Sequence, residues 1–380
     1  MKTRKEIRDA ESTTETIQGP QGEAVQKATV TGFKKELEET ASELKAEAEA
    51  FFEAAEIDFK AWRLREAAEN YTKSVEALPT MSGYLNLGLS LFDTSEFARA
   101  EKAFTSGLQS ARQKGNRKFE GIFLGNIGNV YFSQGKLGEA LKFHQAALEI
   151  DKEIGYPLGR AQDLGNIGLV YADQGKLVEA LKSYQAALEI DKEIGNPQGR
   201  AKALCNIGNV YYSQGKLVEA LESFQASQEI HKEIGNPLGR ANQLGNIGNI
   251  YYRHGKFGEA LESYQAALDI HKETGNPLGR AQDLCNIANV YYSQGKLGEA
   301  LESYQAALEI HKEIGNPLGR ANALGNIGLV YADQGKTEKA LELLEQARAI
   351  YLEAGIKTEG LQIVENKIAE LKRGADKPGG

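Results

Sequence analysis

The chain carries apolar and small residues at the spacing of an α-helix, and the whole pattern recurs with a period of 40 residues. In the block that begins at Ala161, a first stretch places such residues at block positions 4, 7, 8 and 11, which share one face of a helix. These residues are Leu164, Ile167, Gly168 and Tyr171. A second stretch continues the pattern at positions 20, 24 and 27 with Ala180, Tyr184 and Ala187. Each block is therefore predicted to form a helical hairpin, helix A followed by helix B.

The junctions between blocks support these helix boundaries. Four junctions have the sequence Gly-Asn-Pro, beginning at Gly195, Gly235, Gly275 and Gly315. Glycine suits the residue that follows the last turn of a helix, asparagine caps the N-terminus of the next helix, and proline fits its first turn. Within a block, a Gly-Lys pair such as Gly175-Lys176 predicts a tight turn between helix A and helix B.

Six regular blocks follow one another, and two more diverged blocks precede them. The predicted repeats lie near 48–80, 81–120, 121–160, 161–200, 201–240, 241–280, 281–320 and 321–360. The blocks 241–280 and 281–320 are identical at 30 of 40 positions. A period of this length indicates a solenoid, in which each hairpin packs only against its neighbours in the sequence.

Small residues at positions 8 and 20, with aromatic rings at positions 11 and 24, predict close packing of helix A against helix B. This spacing of small and large residues resembles the tetratricopeptide repeat (TPR) over residues 48–360. The resemblance implies an all-α fold, a right-handed TPR superhelix (α-solenoid) of about eight helical hairpins. The 40-residue length is similar to the repeats of the LGN/Pins scaffold family, whose Asn-Leu-Gly-Asn run is echoed by Asn126-Ile127-Gly128-Asn129.

The two ends of the chain differ from the repeats. Residues 1–33 are polar and rich in Glu, Thr and Gln, so we expect a disordered N-terminal tail, with the solenoid over 34–360. After the last block, apolar residues recur at helical spacing with charged residues between them, which predicts a capping helix over 361–373. These apolar residues are Leu361, Val364, Ile368 and Leu371. Residues 374–380 are expected to form a flexible tail.

Charge and composition narrow the class of protein. Lys and Arg number 45 against 53 Asp and Glu, and the net charge of −8 has the wrong sign for binding nucleic acid or an anionic membrane. No secretory signal and no apolar stretch of about 18 residues occurs, so we expect a soluble, cytoplasmic protein. Cys205 and Cys285 lie two blocks apart, too far to form a disulfide, and are expected to be free thiols.

Once the packed face is assigned, positions 2, 6, 9 and 13 of helix A remain together on another face. The TPR resemblance implies that the A helices line the concave side, so we take this face and the neighbouring position 12 as a candidate peptide-binding groove. The candidates are Asn126, Asn166, Asn206, Asn246, Asn286 and Asn326 at position 6, Asn129, Asn209, Asn249 and Asn289 at position 9, and Tyr212, Tyr252 and Tyr292 at position 12.

Each asparagine amide carries a donor and an acceptor, so rows of amides could pair with the main chain of an extended peptide. The glycine or cysteine at position 5 would keep the groove wall low beside them. Two alternative reasons for the rows stay open: the asparagines could bond carbonyl groups of adjacent repeats, or they could have been copied by recent duplication.

No catalytic, metal-binding or cofactor-binding set of residues emerges above the repeat background. Gly125-Asn126-Ile127-Gly128 is similar to part of a dinucleotide-binding loop, but it lies inside a helical pattern that recurs in each block. His231, His271 and His311 recur one block apart, too far for one metal ion, and are expected at solvated helix ends. The sequence therefore predicts no enzyme activity, no metal and no cofactor.

The function that follows is a non-catalytic scaffold that binds a peptide segment of a partner protein in the concave TPR groove. Chaperone-binding TPR clamps would require Lys and Arg at positions 5 and 6, and LGN-type scaffolds Arg at position 2, so neither type of ligand is carried over. A TPR regulatory sensor of a signalling peptide stays open, although residues 1–45 are too few and too polar for an effector bundle. A non-catalytic subunit of an enzyme complex is another alternative.

Overall fold

The computed structural model describes the backbone of residues 20–375 and the side chains of residues 38–373. Within this part of the chain the regular structure consists of seventeen α-helices, without strands. They are α1 (Pro20–Lys60), α2 (Leu64–Ala77), α3 (Met81–Asp93), α4 (Phe97–Gln113), α5 (Arg117–Ser133), α6 (Leu137–Glu153), α7 (Pro157–Asp173), α8 (Leu177–Glu193), α9 (Pro197–Ser213), α10 (Leu217–Glu233), α11 (Pro237–Arg253), α12 (Phe257–Glu273), α13 (Pro277–Ser293), α14 (Leu297–Glu313), α15 (Pro317–Asp333), α16 (Thr337–Glu353) and α17 (Glu359–Ala375).

The helices belong to two compact units. The first unit extends to Gly159 and contains α1 to α6, and the second begins at Arg160 and contains most of α7 together with α8 to α17. Inside each unit a helix packs mainly against the helices before and after it in the sequence. This pattern of contacts is that of stacked helical hairpins. The prediction of an all-α helical-repeat fold is therefore confirmed.

The predicted junctions are confirmed at the level of individual hydrogen bonds. The side chain of Asn276 accepts a hydrogen bond from the backbone N–H of Gly279 at 3.1 Å, and Pro277 lies in the first turn of α13. Asn196, Asn236 and Asn316 cap α9, α11 and α15 in the same way. Gly275 has a φ of 65°, in the left-handed region, and therefore lets the chain leave α12 and enter α13 within three residues.

Close packing of helix A against helix B is also confirmed. A Cβ atom on Gly248 would lie 2.6 Å from the ring of Tyr264, and one on Gly208 would lie 2.6 Å from the ring of Phe224. Both rings are buried. In these two blocks the glycine at position 8 makes room for the aromatic ring at position 24, as the sequence pattern predicts.

The N-terminal part of the chain corrects one prediction. Helix α1 begins at Pro20, so residues 20–33, which we expected to be a disordered tail, are helical. The C-terminal part of α1 packs against α2, where the hydroxyl of Ser74 donates to the carbonyl oxygen of Ala48 at 2.9 Å. Adding polar residues to an existing helix costs far less than nucleating a new one, and polarity alone does not end a helix. Residues 1–19 lie outside the described residues.

At the other end, α17 packs against α16 and α15 and buries Leu361, Val364 and Ile368. Residues 376–380, most of the predicted C-terminal tail, lie outside the described part of the chain. Among the helices that the structure describes, none is long and apolar enough to cross a lipid bilayer.

Candidate peptide-binding groove

The A helices of the second unit leave a depression of about 620 Å³ between α11 and α13. Side-chain amides from these two helices form much of its lining, together with Gly245, Leu278 and Cys205. The amides belong to Asn242, Gln243, Asn246, Asn249, Asn276, Gln282 and Asn286. We call this depression the amide pocket.

A second depression of about 430 Å³ lies next to it, between α13, α15 and α17. Leu278 and Gln282 line both depressions, so the two are adjacent along the second unit. The lining of the second one includes Leu278, Gln282, Cys285, Asn289, Leu318, Asn322, Asn326, Leu329, Ile363 and Val364. We call it the end pocket.

Three of the six position 6 asparagines line these pockets: Asn246 and Asn286 the amide pocket, and Asn326 the end pocket. The Asn246 amino group lies 3.4 Å from Gln243 Oε1, and Gln282 Nε2 donates to Asn286 Oδ1 at 3.2 Å. Among the described residues, the side-chain oxygen Asn246 Oδ1 and the side-chain nitrogen Asn286 Nδ2 have no hydrogen-bond partner. Each amide therefore keeps one hydrogen-bonding group available to a ligand.

The other three position 6 asparagines have different surroundings. Asn166 and Asn206 are half-buried, and their side chains form no hydrogen bond within residues 38–373. Asn126 lies in the first unit and donates to the carbonyl oxygen of Ile122 in its own helix at 2.8 Å. Sequence reasoning missed Asn86, which holds position 6 of the block 81–120 and donates to Glu56 Oε1 at 3.0 Å.

The asparagines at position 9 connect helix A to helix B in two blocks. The hydroxyl of Tyr264 donates to Asn249 Oδ1 at 2.7 Å, and Tyr304 donates to Asn289 in the same way. Burial raises the pKa of the Tyr264 hydroxyl, which therefore stays a neutral donor. These asparagines line the pockets and also satisfy a buried hydroxyl. The sequence signal for this pairing, a tyrosine at position 24 together with asparagine at position 9, was overlooked.

The other two position 9 asparagines have no such bond. Asn209 is exposed and belongs to a block in which Phe224 replaces the tyrosine, and its amino group lies 4.0 Å from Cys205 Sγ. Asn129 is half-buried in the first unit, in a block where His144 holds position 24.

A comparison of Asn249→Ala with Asn209→Ala tests the pairing. Asn249→Ala leaves the hydroxyl of Tyr264 without its acceptor, so we expect a loss of about 1–2 kcal/mol in the free energy of unfolding. Asn209→Ala removes no such bond and should change stability by less than about 0.5 kcal/mol. Urea unfolding followed by circular dichroism measures both, and equal effects would contradict the assigned role of Asn249.

The tyrosines at position 12 contact the next block. The Tyr252 hydroxyl is hydrogen-bonded to Ser293 Oγ at 2.7 Å, and Tyr292 donates to Asp333. Burial and this bond raise the pKa of Tyr292 to about 12. The guanidinium of Arg253 lies 4.7 Å from the ring centroid of Tyr212. Each of the three tyrosines therefore contacts the residue at position 13 of the following helix A. The sequence did not reveal this contact between repeats.

The histidines at position 31 are buried, which corrects the expectation of solvated helix ends. His231, His271 and His311 are 7%, 3% and 6% exposed. They fit because position 39 of the same block, at the start of the next helix A, is glycine: a Cβ on Gly279 would lie 2.6 Å from the ring of His271.

His271 also forms a buried pair at the edge of the amide pocket. Its Nδ1 lies 2.7 Å from Asp283 Oδ2, and both residues contribute to the pocket lining. Burial raises the pKa of Asp283 to about 6, although the bond to His271 acts in the opposite direction.

The pocket linings offer neutral hydrogen-bonding groups and apolar surface. Of the described residues that line the two pockets, none is Lys, Arg or Glu, and Asp283 is paired with His271. Burial raises the pKa of the Cys205 thiol, and that of Cys285 to about 12, so both free thiols are protonated near neutral pH. Within the described part of the chain, no three His, Cys, Asp or Glu residues are grouped so that they could hold a metal ion.

Comparison with known families agrees with this architecture. The family described as Tetratricopeptide repeat matches residues 79–153, 119–193, 157–233, 199–273 and 280–353. These segments cover most of the chain, so the protein belongs to the tetratricopeptide repeat family. A search of curated proteins gave no significant match. The finer similarity to LGN/Pins scaffolds stays a prediction.

Several solved structures share the fold at low sequence identity. BtubC (BKLC) from P. vanneervenii is 19% identical with a TM-score of 0.53, and the match covers 58% of this chain and 93% of that one. Aspartyl phosphate phosphatase F from Bacillus subtilis is 16% identical with a TM-score of 0.58, over 80% and 75% of the two chains. A Rap protein complexed with Competence and Sporulation Factor is 15% identical with a TM-score of 0.51, over 88% and 98%.

Proposed function

We propose that this TPR protein is a non-catalytic interaction scaffold and that its amide pocket binds an extended, uncharged peptide segment of a partner protein. The observation that carries the proposal is the cluster of amides that keep free donors and acceptors in a depression without unpaired charge. Main-chain N–H and C=O groups of a peptide match such amides in both hydrogen-bonding roles. An uncharged lining gives no compensation for a desolvated charge on the ligand.

The glycines at position 5 support close approach of a ligand. A Cβ atom on Gly165 or Gly245 would meet no atom within 4 Å, so packing of the protein does not require glycine there. Glycine inside a helix is less favourable than alanine by about 1 kcal/mol. A ligand whose main chain lies against the helix backbone would explain why these positions lack a side chain. A further support is that one protein of similar fold, the Rap protein, has been solved with a bound factor.

The test uses a peptide that is selected from a random-sequence phage library for binding to the purified chain. We expect Asn246→Ala together with Asn286→Ala to weaken its binding several-fold, because two amides that line the amide pocket are removed, while helicity stays unchanged. Isothermal titration calorimetry and circular dichroism measure the two quantities. Unchanged affinity with reduced stability would show that the asparagines are structural.

Gly245→Ala has a matched control in Gly258→Ala. Position 258 lies in the first turn of α12, outside both pocket linings, and a Cβ there also meets no atom within 4 Å. Both variants should be as stable as the original chain or more stable, by up to about 1 kcal/mol. Only Gly245→Ala should weaken peptide binding, by about fivefold or more, which corresponds to roughly 1 kcal/mol. Equal affinities of the two variants would contradict a ligand at position 5.

A further inference from the structure

The end pocket differs from the amide pocket in its apolar surface. Leu278, Leu318 and Ile363 are 53%, 39% and 46% exposed, and all three line this one depression. Buried Val364 and half-buried Leu329 continue the apolar lining. Exposed apolar side chains that converge on a single cavity indicate a binding site more strongly than the same residues scattered over a surface.

The fold does not require leucine at the exposed positions. Leu278 and Leu318 hold position 38, the second residue of helix A. Gln198 holds the same position at the start of α9, where Asn196 caps Gly199 with the same hydrogen bond at 3.2 Å. Because the junction forms with glutamine, the two leucines are free to serve another purpose.

Part of this apolar character arises from α17, the last helix in the described part of the chain. The walls of the amide pocket come from α11 and α13, which present Asn246 and Asn286. In the end pocket α17 supplies one wall, with Ile363 and Val364 in place of amides. The end pocket therefore joins an apolar wall from α17 to an amide wall that includes Asn289 and Asn326.

The occupant of the end pocket must be neutral. Among the described residues that line it there is no Lys, Arg, Asp or Glu. Burial lowers the pKa of His311, so this histidine is uncharged near neutral pH. The buried hydroxyl of Tyr351 donates to Asn322 Oδ1. A charged group entering this pocket would lose its hydration without meeting an opposite charge.

We propose that the end pocket binds one aliphatic or aromatic side chain of the partner segment, whose main chain continues into the amide pocket. This inference rests on the proposed function. The shared residues Leu278 and Gln282 connect the two pockets, so one extended peptide can contact both. The chain would thus recognise an uncharged segment with one large apolar residue, and the end pocket would determine its register.

The test uses the full chain and a synthetic peptide of the consensus selected from the phage library. We expect the consensus to contain one Leu, Ile, Met or Phe flanked by uncharged residues. Leu278→Gln with Leu318→Gln should bind this peptide at least about tenfold more weakly. Leu238→Gln is the matched control, because Leu238 holds position 38 but lines neither pocket, and it should bind as the original chain does.

A double-mutant cycle adds a readout that misfolding would not produce. Changing the apolar residue of the peptide to alanine should weaken binding to the original chain by about tenfold, and should have little further effect on the double leucine variant. Additive losses, unchanged affinity of that variant, or a charged consensus would overturn the end-pocket proposal. If binding of the selected peptide still depends on Asn246 and Asn286, the proposed function survives that result. If no peptide is selected, both proposals fail.

Discussion

His144→Phe should make the chain more stable, and the gain should be largest in acid. His144 is buried at position 24 of its block, and its Nδ1 has no hydrogen-bond partner within residues 38–373. Burial lowers its pKa from 6.5 to about 4. Phe104 and Phe224 hold the same position in other blocks, each packed on a glycine as His144 packs on Gly128. Phenylalanine should therefore fit this site, and it removes an unsatisfied nitrogen whose burial costs about 1–3 kcal/mol.

The pH dependence follows from the lowered pKa. As the pH falls below 6.5, the unfolded chain binds a proton at residue 144 before the folded chain does, so the folded state loses stability relative to the unfolded state. The loss is complete once the pH is below about 4, and it amounts to about 3 kcal/mol at 1.36 kcal/mol per pKa unit. The phenylalanine variant has no proton to bind at this position and should not show this loss.

Urea unfolding of both chains at several values between about pH 7 and pH 4 measures the effect. The difference between the two curves isolates residue 144, because other buried groups contribute equally to both. One of them acts in the opposite sense: burial raises the pKa of Asp151 to about 6, which favours the folded state in acid. Stability curves that run parallel over this range would contradict the assignment of a buried, neutral His144.

Gly279→Ala should destabilise the chain, although alanine favours helix. The new Cβ would lie 2.6 Å from three atoms of the His271 ring. The ring cannot move aside easily, because it is 3% exposed and its Nδ1 is bonded to Asp283. Overpacking of this kind costs about 1–3 kcal/mol, and separating the buried pair adds to it. This exceeds the gain in helix propensity of up to about 1 kcal/mol.

Gly298→Ala is the control for this prediction. It lies in the first turn of α14, where a Cβ would meet no atom within 4 Å, so the substitution should be neutral or stabilising. The two variants differ in the surroundings of the glycine and introduce the same residue. Thermal unfolding compares them, and similar midpoints for both would mean that the His271 ring accommodates the extra carbon.

The sequence was a good guide wherever the relevant chemistry is local. An asparagine cap directly followed by a proline is enough to predict where four of the A helices begin. These helices begin at Pro197, Pro237, Pro277 and Pro317. The contact between positions 8 and 24 was also predictable, because both residues belong to one hairpin and their sizes are complementary. In each case the interacting residues can be identified from a single block.

Contacts between blocks were harder to predict. The hydrogen bond of His271 depends on Asp283 in the next block, a residue that the neighbouring blocks replace with Gln243 or Ala323. The period places Tyr252 beside the groove face, but it cannot tell that the Tyr252 hydroxyl is hydrogen-bonded to Ser293 of the next block. A one-dimensional pattern gives the direction of a side chain and leaves its partner undetermined.

At three successive junctions the contact between blocks connects the same positions: position 12 with position 13 of the next block, as for Tyr252 and Ser293. Any regular block therefore presents matching surfaces to a neighbour of its own kind. Loss or duplication of a whole block, for example by unequal recombination within the gene, would shorten or extend the second unit without creating an unfamiliar interface. Under the proposed function, the span of partner sequence that the groove recognises can thus evolve in steps of one hairpin.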